Sequence, residues 1–200
     1  MRLTRPLNSL AVLIFWAGIG LATPETPLDV SGTTNLITDF EEKDVSEGWK
    51  TVNDNVMGGR STGGPSFGEG RLTFQGSTNT DGGGFSTVRT QPGEHDLSGM
   101  AGLLIRVKGD GRTYKMGLRT NVRNGWSRMP FRADFATEEG KWKEVFLPFA
   151  SFGPTFHGRS LKNAPALDLS QVSSFEFMIY DKKDGPFLLE VDWIKAVREM

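Results

Sequence analysis

Apolar and polar residues alternate over short runs from residue 35 onward. Leu103 to Lys108 and Phe175 to Tyr180 each carry an apolar side chain at every second position. A period of two is that of a β-strand with one buried face. The pattern predicts these strands: Trp49 to Val52, Gly70 to Gln75, Phe85 to Thr90, Leu103 to Lys108, Tyr114 to Arg119, Phe131 to Phe135, Trp142 to Leu147, Phe175 to Tyr180 and Phe187 to Val197.

The last strand is less regular than the others. Phe187 to Val191 are apolar at odd positions, whereas Ile194 has the opposite parity. This mixed pattern indicates a strand near the edge of the core or beneath a loop. Trp49, Trp142 and Trp193 lie in or next to predicted strands, and we expect them in the core.

Turn residues separate the strands, and no helical period intervenes. Many short strands without helices between them imply two packed antiparallel sheets. The predicted fold is therefore all-β, an antiparallel β-sandwich of the jelly-roll type. A chain of 200 residues with 37% hydrophobic residues is long enough for a sizeable core, and residues 35–200 are predicted to form a single domain.

The first 34 residues have a different composition. Arg2 and Arg5 precede an apolar run from Leu10 to Leu21, and the small residue Ala22 follows. This layout predicts a secretory signal peptide over residues 1–22, with a Pro- and Thr-rich flexible leader over 23–34. The apolar run has about a dozen residues against roughly twenty for a spanning helix, so no stable membrane span is expected after cleavage. A periplasmic or extracellular location is predicted, with a mitochondrial location as the alternative.

Charge and cysteine content restrict the possible functions. Cleavage after Ala22 removes two arginines and no acidic residue, which changes the formal net charge from −1 to −3. No basic excess remains to hold nucleic acid. The chain has no cysteine, which excludes disulfides, thiolate metal sites and a cysteine nucleophile.

A glycine-containing polar loop follows the first predicted strand. Its adjacent glycines permit backbone conformations with positive φ, and its polar side chains can bond the backbone or point outward. Such a loop indicates either an unusual corner of the fold or a recognition surface. The candidate recognition residues in it are Asp54, Asn55, Met57, Gly58, Gly59, Arg60 and Ser61.

Three other glycine motifs join predicted strands. Gly82 to Phe85 precedes a strand that bears Arg89, and Gly109 to Arg112 has the Asp-Gly signal typical of a hairpin turn. Asp181 to Phe187 joins the last two strands through Gly185-Pro186, which is also turn chemistry.

These motifs, taken in order, resemble one family, the complex I intermediate-associated protein family, named for a mitochondrial assembly factor of respiratory complex I. The residues that carry the resemblance are Asn53-Asp54, Val56 to Gly59, Ser61, Phe74 to Gly76, Gly83 to Phe85, Arg89, Gly109 to Arg112, Tyr114, Trp142 to Val145, Pro148-Phe149, Gly185 to Phe187 and Asp192 to Ile194. The resemblance covers about Asp39 to Val197. It implies a galactose-binding-like jelly roll and a non-catalytic role in binding or assembling other proteins. The best-known relatives work inside mitochondria, whereas this chain is predicted to be exported.

No catalytic or metal site is predicted. His95 and His157, the two histidines, lie in polar turns without triad or metal spacing and are interpreted as surface residues. Asp39, Glu41 and Asp192 could supply oxygen ligands to Ca²⁺ if the terminal strands pair, but solvated or paired carboxylates are the commoner arrangement. We therefore predict neither enzyme activity nor a cofactor.

The predicted function is binding of a partner protein, as in an assembly factor or chaperone. Arg89, Arg112 and Asp181 are the expected polar neighbours of the glycine loop. The competing interpretation is structural, with Asp54 or Asp181 paired to Arg89 inside the sandwich. The alternative function is carbohydrate binding, for which Trp126, in a polar segment, is the candidate stacking platform, although a tryptophan folded over a sheet edge fits the same pattern.

Overall fold

The computed structural model describes residues 34–42, 47–124, 127–156, 159–161 and 164–198. Within this part of the chain there is no α-helix, only short 3-10 turns between strands. The strands are β1 (Thr34–Thr38), β2 (Trp49–Asn53), β3 (Thr62–Gly68), β4 (Arg71–Thr78), β5 (Ser86–Thr90), β6 (Gly102–Lys108), β7 (Thr113–Asn124), β8 (Ser127–Ala136), β9 (Trp142–Pro148), β10 (Gly153–Phe156), β11 (Arg159–Ser160), β12 (Val172–Ile179) and β13 (Gly185–Val197).

The strands form two antiparallel sheets. One sheet has the order β3-β4-β13-β6-β9, and β1 pairs with the C-terminal part of β13. The other has the order β11-β10-β8-β7-β12-β5-β2. This architecture confirms the predicted antiparallel β-sandwich.

Aromatic side chains from both sheets fill the core. Phe74 of β4 packs edge-on against Phe187 of β13, with ring centroids 4.8 Å apart. Trp49 of β2 stacks on Phe177 of β12 at 6.2 Å. Burial of each such side chain contributes about 1.5–3 kcal/mol relative to an exposed one, so this layer is the main source of stability.

A β-bulge explains the mixed pattern of the last strand. In the pairing with β6, Val191 lies opposite Val107 and Trp193 opposite Arg106, which leaves Asp192 as an extra residue. A one-residue bulge reverses which side chains face the core, so Val191 and Ile194 are both buried. The prediction of a strand near the edge of the core was wrong, because β13 lies centrally between β4 and β6.

Strand β12 is buried on both faces rather than on one. All eight of its residues are buried, including Glu176 and Met178, whose parity is opposite to that of the core residues. On the second face, Arg119 and Arg132 bond Glu176, and Met178 lines a cleft that is described below.

Two of the three tryptophans expected in the core lie elsewhere. Trp142 and Trp193 are only partly buried, because each lies on the face of its strand opposite to the one that faces the core. The guanidinium group of Arg106 lies 4.7 Å from the centre of the Trp142 ring, and Lys195 Nζ lies 4.1 Å from that of Trp193. These rings act as cation–π platforms instead of core residues.

The Gly109 to Arg112 turn does not close a hairpin. Strands β6 and β7, which it joins, belong to different sheets. The hairpin interpretation of its Asp-Gly signal was therefore wrong, and the turn is a crossover between the two layers.

Candidate functional site

Four connections between the sheets meet at one end of the sandwich, which we call the crossover end. They are residues 54–61 between β2 and β3, 79–85 between β4 and β5, 109–112 between β6 and β7, and 180–184 between β12 and β13. All the glycine motifs singled out from the sequence lie in or beside these connections. Two sets of buried charged groups, a lone carboxylate and an ion pair, tie the connections together.

Asp54 is the first of these groups and is fully buried. Its carboxylate accepts hydrogen bonds from the backbone N–H of Ser61 at 2.8 Å and of Gly84 at 2.6 Å. The Ser61 hydroxyl donates at 2.5 Å and the Phe85 N–H at 3.3 Å. Burial acts to raise the pKa of Asp54, but these hydrogen bonds outweigh it and hold the pKa below its ordinary value. Asp54 therefore joins two connections as an anion.

The glycines beside Asp54 are required by close approach. A Cβ atom on Gly59 would lie 2.3 Å from the Asp54 Cγ, and one on Gly83 would lie 2.3 Å from an Asp54 carboxylate oxygen. Gly58 has φ of +87°, the left-handed region that glycine adopts without strain. The glycine loop therefore has its shape because it wraps around a carboxylate.

Arg112 and Asp181 form the second buried tie. Arg112 Nε donates to Asp181 at 2.9 Å and Nη2 donates to it at 2.5 Å, a bidentate ion pair. The same guanidinium group donates to the carbonyl oxygens of Lys183 and Pro186 at 2.8 and 2.9 Å. The hydrogen bond to Asp181 is the main reason that the pKa of Arg112 is raised, although burial acts in the opposite sense. This pair fixes the connection between β12 and β13 to the one between β6 and β7.

These contacts separate the expected recognition residues into two groups. Asp54, Ser61 and Arg112 are buried, the Asp181 side chain is 6% exposed, and all four are bonded within the crossover end. The expected pairing of Asp54 or Asp181 with Arg89 was wrong, since Asp54 bonds mainly backbone N–H groups and Asp181 bonds Arg112.

The second group is exposed on the outside of the same loop. Asn55, Met57 and Arg60 are exposed, and Arg60 lies 3.5 Å from Asp81 in a solvent-accessible ion pair. Val56 is 69% exposed and Met57 49%, so two large apolar side chains are exposed side by side on this loop. Trp126 and His157 lie outside the described residues.

A cleft of about 440 Å³ opens beside this loop, on the outer face of the seven-stranded sheet. We call it the arginine cleft. Its lining residues are Val52, Val56, Met57, Gly83, Phe85, Thr87, Arg89, Arg119, Pro130, Arg132, Thr155, Met178 and Tyr180. The cleft therefore combines an apolar rim with three guanidinium groups.

Pairing register brings the charged residues of the cleft together. Glu176 of β12 lies opposite Arg89 of β5 on one side and opposite Gly117 of β7 on the other. Gly117 in turn lies opposite Arg132 of β8. Directly opposed residues in antiparallel strands share a face, so these groups line one transverse row across four strands.

Glu176 is fully buried between two arginines. Arg119 Nε donates to one of its carboxylate oxygens at 2.9 Å and Arg132 Nε donates to the other at 2.6 Å. Burial acts to raise the pKa of Glu176, but the charges of Arg132 and Arg119 hold it below the ordinary value. The glutamate is therefore ionised and shared between both arginines.

Gly117 makes room for this arrangement. A Cβ atom at Gly117 would lie 2.4 Å from the Glu176 Cγ. Only glycine therefore leaves room for the Glu176 side chain to extend over β7 at this position.

Arg89 has a different environment from Arg119 and Arg132. It is half-buried, and among the described residues no group accepts a hydrogen bond or lies within ion-pair distance of its guanidinium. Burial and the charge of Arg119 lower its pKa, although a guanidinium group remains protonated at neutral pH. Arg89 is thus a cation open to the cleft.

The arrangement suits binding better than proton transfer. Arginines donate planar pairs of hydrogen bonds but do not act as acids or bases near neutral pH, and the cleft carboxylate is already occupied.

His95 is half-buried, lies edge-on to Phe175 at 4.9 Å, and has its pKa lowered by burial. It lies outside the cleft lining and, with its ring against a core aromatic, is less exposed than expected for a surface histidine.

Most of the cleft could not be identified from motifs. Of the candidate residues within the described part of the chain, only Met57 and Arg89 line it, while Arg119, Arg132 and Glu176 were missed. A signal does exist, because Lys115 and Arg119 alternate with core residues on β7, as Arg132 and Asp134 do on β8. Charged residues that alternate with core residues mark the outer face of an antiparallel sheet, so the sequence indicates that these charges share a face but does not distinguish a cleft from a solvated surface.

The described part of the chain has neither a cluster of metal ligands nor a helix that could span a membrane. It contains no group of three or more His, Cys, Asp or Glu side chains placed to hold a metal ion. Of the Ca²⁺ candidates, Asp192 accepts a hydrogen bond from Arg106. No helix there is long and apolar enough to cross a membrane.

The two packed antiparallel sheets define a jelly-roll domain, and solved structures of similar fold agree. The family 11 carbohydrate-binding module of a cellulosomal cellulase from Clostridium thermocellum superimposes with a TM-score of 0.63 at 19% identity, over 82% of this chain and 94% of that one. An agarase gives a TM-score of 0.56 at 13% identity, over 82% of this chain and 24% of that one. These likenesses concern the fold alone, and they confirm the galactose-binding-like jelly roll.

The chain belongs to the complex I intermediate-associated protein 30 family, whose family model matches residues 38–191. The family resemblance drawn from the motifs is thereby confirmed. Complex I intermediate-associated protein 30, mitochondrial, from Mus musculus is 34% identical over 102 residues, which are 50% of this chain and 31% of the relative. Its Drosophila melanogaster counterpart is 28% identical over 185 residues, which are 82% of this chain and 62% of the relative.

A third relative, an uncharacterized protein of Schizosaccharomyces pombe, is 27% identical over 74% of this chain and 77% of its own length. This chain covers less than two thirds of either the mouse or the fly protein. The predicted signal peptide, its cleavage site and leader residues 23–33 lie outside the described residues, whereas Thr34, predicted as the last leader residue, begins β1. The export of the chain stays a prediction.

Proposed function

We propose that this chain is a non-catalytic binding module that holds a partner protein during assembly of a larger complex, in the manner of an assembly factor or chaperone. The observation that carries the proposal is the exposed apolar pair Val56 and Met57, held on a rigid loop at the rim of the arginine cleft. Large apolar side chains that are fixed and exposed mark interaction sites. The names of the mouse and fly relatives, which refer to complex I intermediates, support the same class of function.

The loop is suited to this role because its conformation is already fixed in the free protein. Asp54 fixes both ends of the connection, so ordering the loop on binding requires little further loss of entropy. Met57 supplies a flexible apolar contact that adapts to irregular surfaces. Asn55 and Arg60 are placed around this contact as polar neighbours.

Site-specific photo-crosslinking tests the proposal. A photoreactive residue is placed at Val56, and a matched control is placed at Leu36, which is 54% exposed on β1 of the other sheet. We expect one protein adduct from position 56 that is absent from position 36 and is lost in Met57→Asp. Equal adducts from both positions, or an adduct insensitive to Met57→Asp, would contradict the proposal.

Carbohydrate binding is the second candidate function. The cleft contains two aromatic rings, Phe85 and Tyr180, packed edge to face at 6.5 Å, and arginines that could bond sugar hydroxyls. Retention of the protein on a polysaccharide, lost in Trp126→Ala or Tyr180→Ala without a change in thermal unfolding, would support this function. A broad glycan array that retains none of the wild-type protein would exclude it.

The location of the chain is part of the same proposal. Export follows from the predicted signal peptide, whereas the mitochondrial alternative is supported by the names of the relatives. N-terminal sequencing of the mature protein decides, because export with cleavage after Ala22 gives Thr23 as the first residue.

A further inference from the structure

The arginine cleft has more positive charge than its own carboxylate neutralises. Arg89, Arg119 and Arg132 line it, and Glu176 is the one acidic side chain bonded to any of them in the described part of the chain. Both oxygens of Glu176 are already engaged, one by each of its partners. A net positive charge therefore remains, and it is centred on Arg89.

Apolar side chains in the same cleft lining strengthen the interaction of Arg89 with an anion. Val56, Met57, Met178 and Pro130 form apolar parts of the same lining, and they reduce the access of water to a bound group. A charge-assisted hydrogen bond gains strength where water is excluded. Arg89 and its neighbouring arginines thus form a prepared anion site beside an apolar rim.

We propose that this cleft binds a glutamate or aspartate side chain of an acidic and apolar peptide segment in the partner protein, with its carboxylate on Arg89 and the adjacent apolar side chain against Met57. This inference rests on the proposed function and adds the chemistry of the partner to it. The planar guanidinium fork matches a carboxylate, and the apolar rim matches the neighbouring residue. A volume of about 440 Å³ accommodates a few side chains rather than a folded surface.

The position of Arg89 also predicts how the unbound protein behaves. Arg89 has no hydrogen-bonded partner among the described residues, and the charges of Arg119 and Arg132 repel it while that of Glu176 attracts it. Because these interactions oppose each other, replacing Arg89 should change the stability of the fold little. A residue that is dispensable for stability yet required for binding is the signature of a site.

Peptide binding tests the inference directly. The full chain is applied to an immobilised library of short peptides with a central glutamate between apolar residues, and to matched libraries with glutamine or phosphoserine at that position. We expect retention on glutamate peptides to exceed that on glutamine peptides by about tenfold or more, since a charged hydrogen bond is replaced by a neutral one. The preference should weaken as salt is raised.

Two variants connect the result to the cleft. Arg89→Gln should abolish the preference for glutamate without lowering the melting temperature, and Arg89→Lys should restore part of it. Arg198→Gln, which removes an equal charge from an exposed residue after β13, is the matched control and should bind like the wild type. Equal retention of glutamate and glutamine peptides, preference for phosphoserine, or a preference that survives Arg89→Gln would each overturn the inference.

The crosslinking experiment distinguishes this failure from failure of the proposed function. An adduct at Val56 that forms equally in Arg89→Gln would leave the partner-binding role standing and overturn the carboxylate site alone. If no adduct forms at position 56 in the otherwise wild-type protein and no peptide is retained, both the partner-binding role and the carboxylate site would be overturned.

Discussion

Replacement of Asp54 should destabilise the domain severely, although it lies in a loop. Loops usually tolerate substitution because their side chains are solvated. Asp54 instead has no exposed surface and bonds residues 7 and 30 positions along the chain. Its loss would release the connection between β2 and β3 from the one between β4 and β5.

The magnitude follows from the groups left behind. Asp54→Ala leaves three backbone N–H groups and the Ser61 hydroxyl without their acceptor. Each buried donor left unpaired costs about 1–3 kcal/mol, but water entering the gap will satisfy some of them, so we expect a loss of about 3–5 kcal/mol. Asp54→Asn retains one acceptor oxygen and introduces an amide that faces other donors, and about 2 kcal/mol should be lost.

Denaturant unfolding followed by tryptophan fluorescence measures these losses. Asn55→Ala, an exposed neighbour in the same turn, is the control and should change the free energy of unfolding by less than about 0.5 kcal/mol. An Asp54→Asn variant as stable as the control would refute the reasoning. It would mean that the carboxylate contributes no net stability to the loop and is available for another role.

Gly59→Ala should lower the free energy of unfolding by more than about 1 kcal/mol, since its Cβ would overlap the buried aspartate. Gly68→Ala, whose Cβ meets no atom within 4 Å, should change it by less than about 0.5 kcal/mol, and thermal unfolding compares the two. Arg112→Met should cost about 3–5 kcal/mol in chemical denaturation by leaving Asp181 unpaired, and adding Asp181→Leu should recover part of the loss. The pKa of Glu176 lies below its ordinary value of 4.5, so its contribution to stability is present above pH 4.5 and is lost as the pH falls toward the folded-state pKa. Equal unfolding free energies for wild type and Glu176→Gln across this pH range would contradict that assignment.

Strands with regular alternation were predictable from sequence, and those with unusual composition were not. The prediction located β6 and β9 to within one residue at each end, and in β6 the cause is a face that is apolar at every second position. Strand β3 was missed since Thr62–Gly68 contains three glycines and a proline, residues that normally mark turns. It forms because β4 supplies a regular partner along its full length.

The site was predictable only in part, for a related reason. The glycine motifs correctly indicated loops of defined shape, but they did not reveal that Asp54 and Arg112 bond inward to other loops. That distinction depends on contacts between residues about 30 to 70 positions apart. The cleft depends even more on pairing register, since Arg89 and Glu176 share a face only because β5 and β12 are adjacent in the sheet.

The glycine loop has buried anchoring residues and an exposed tip, and this separation has a consequence for protein engineering. Asp54 and Ser61 anchor the loop from inside, whereas the tip at Asn55, Val56 and Met57 has no described side-chain bond to the remainder of the domain. The tip can therefore be randomised while the anchors stay constant, as the variable loops of an antibody domain are diversified on a constant framework. This domain could serve as a cysteine-free display scaffold, in which selection for new partners proceeds without selection for new folds.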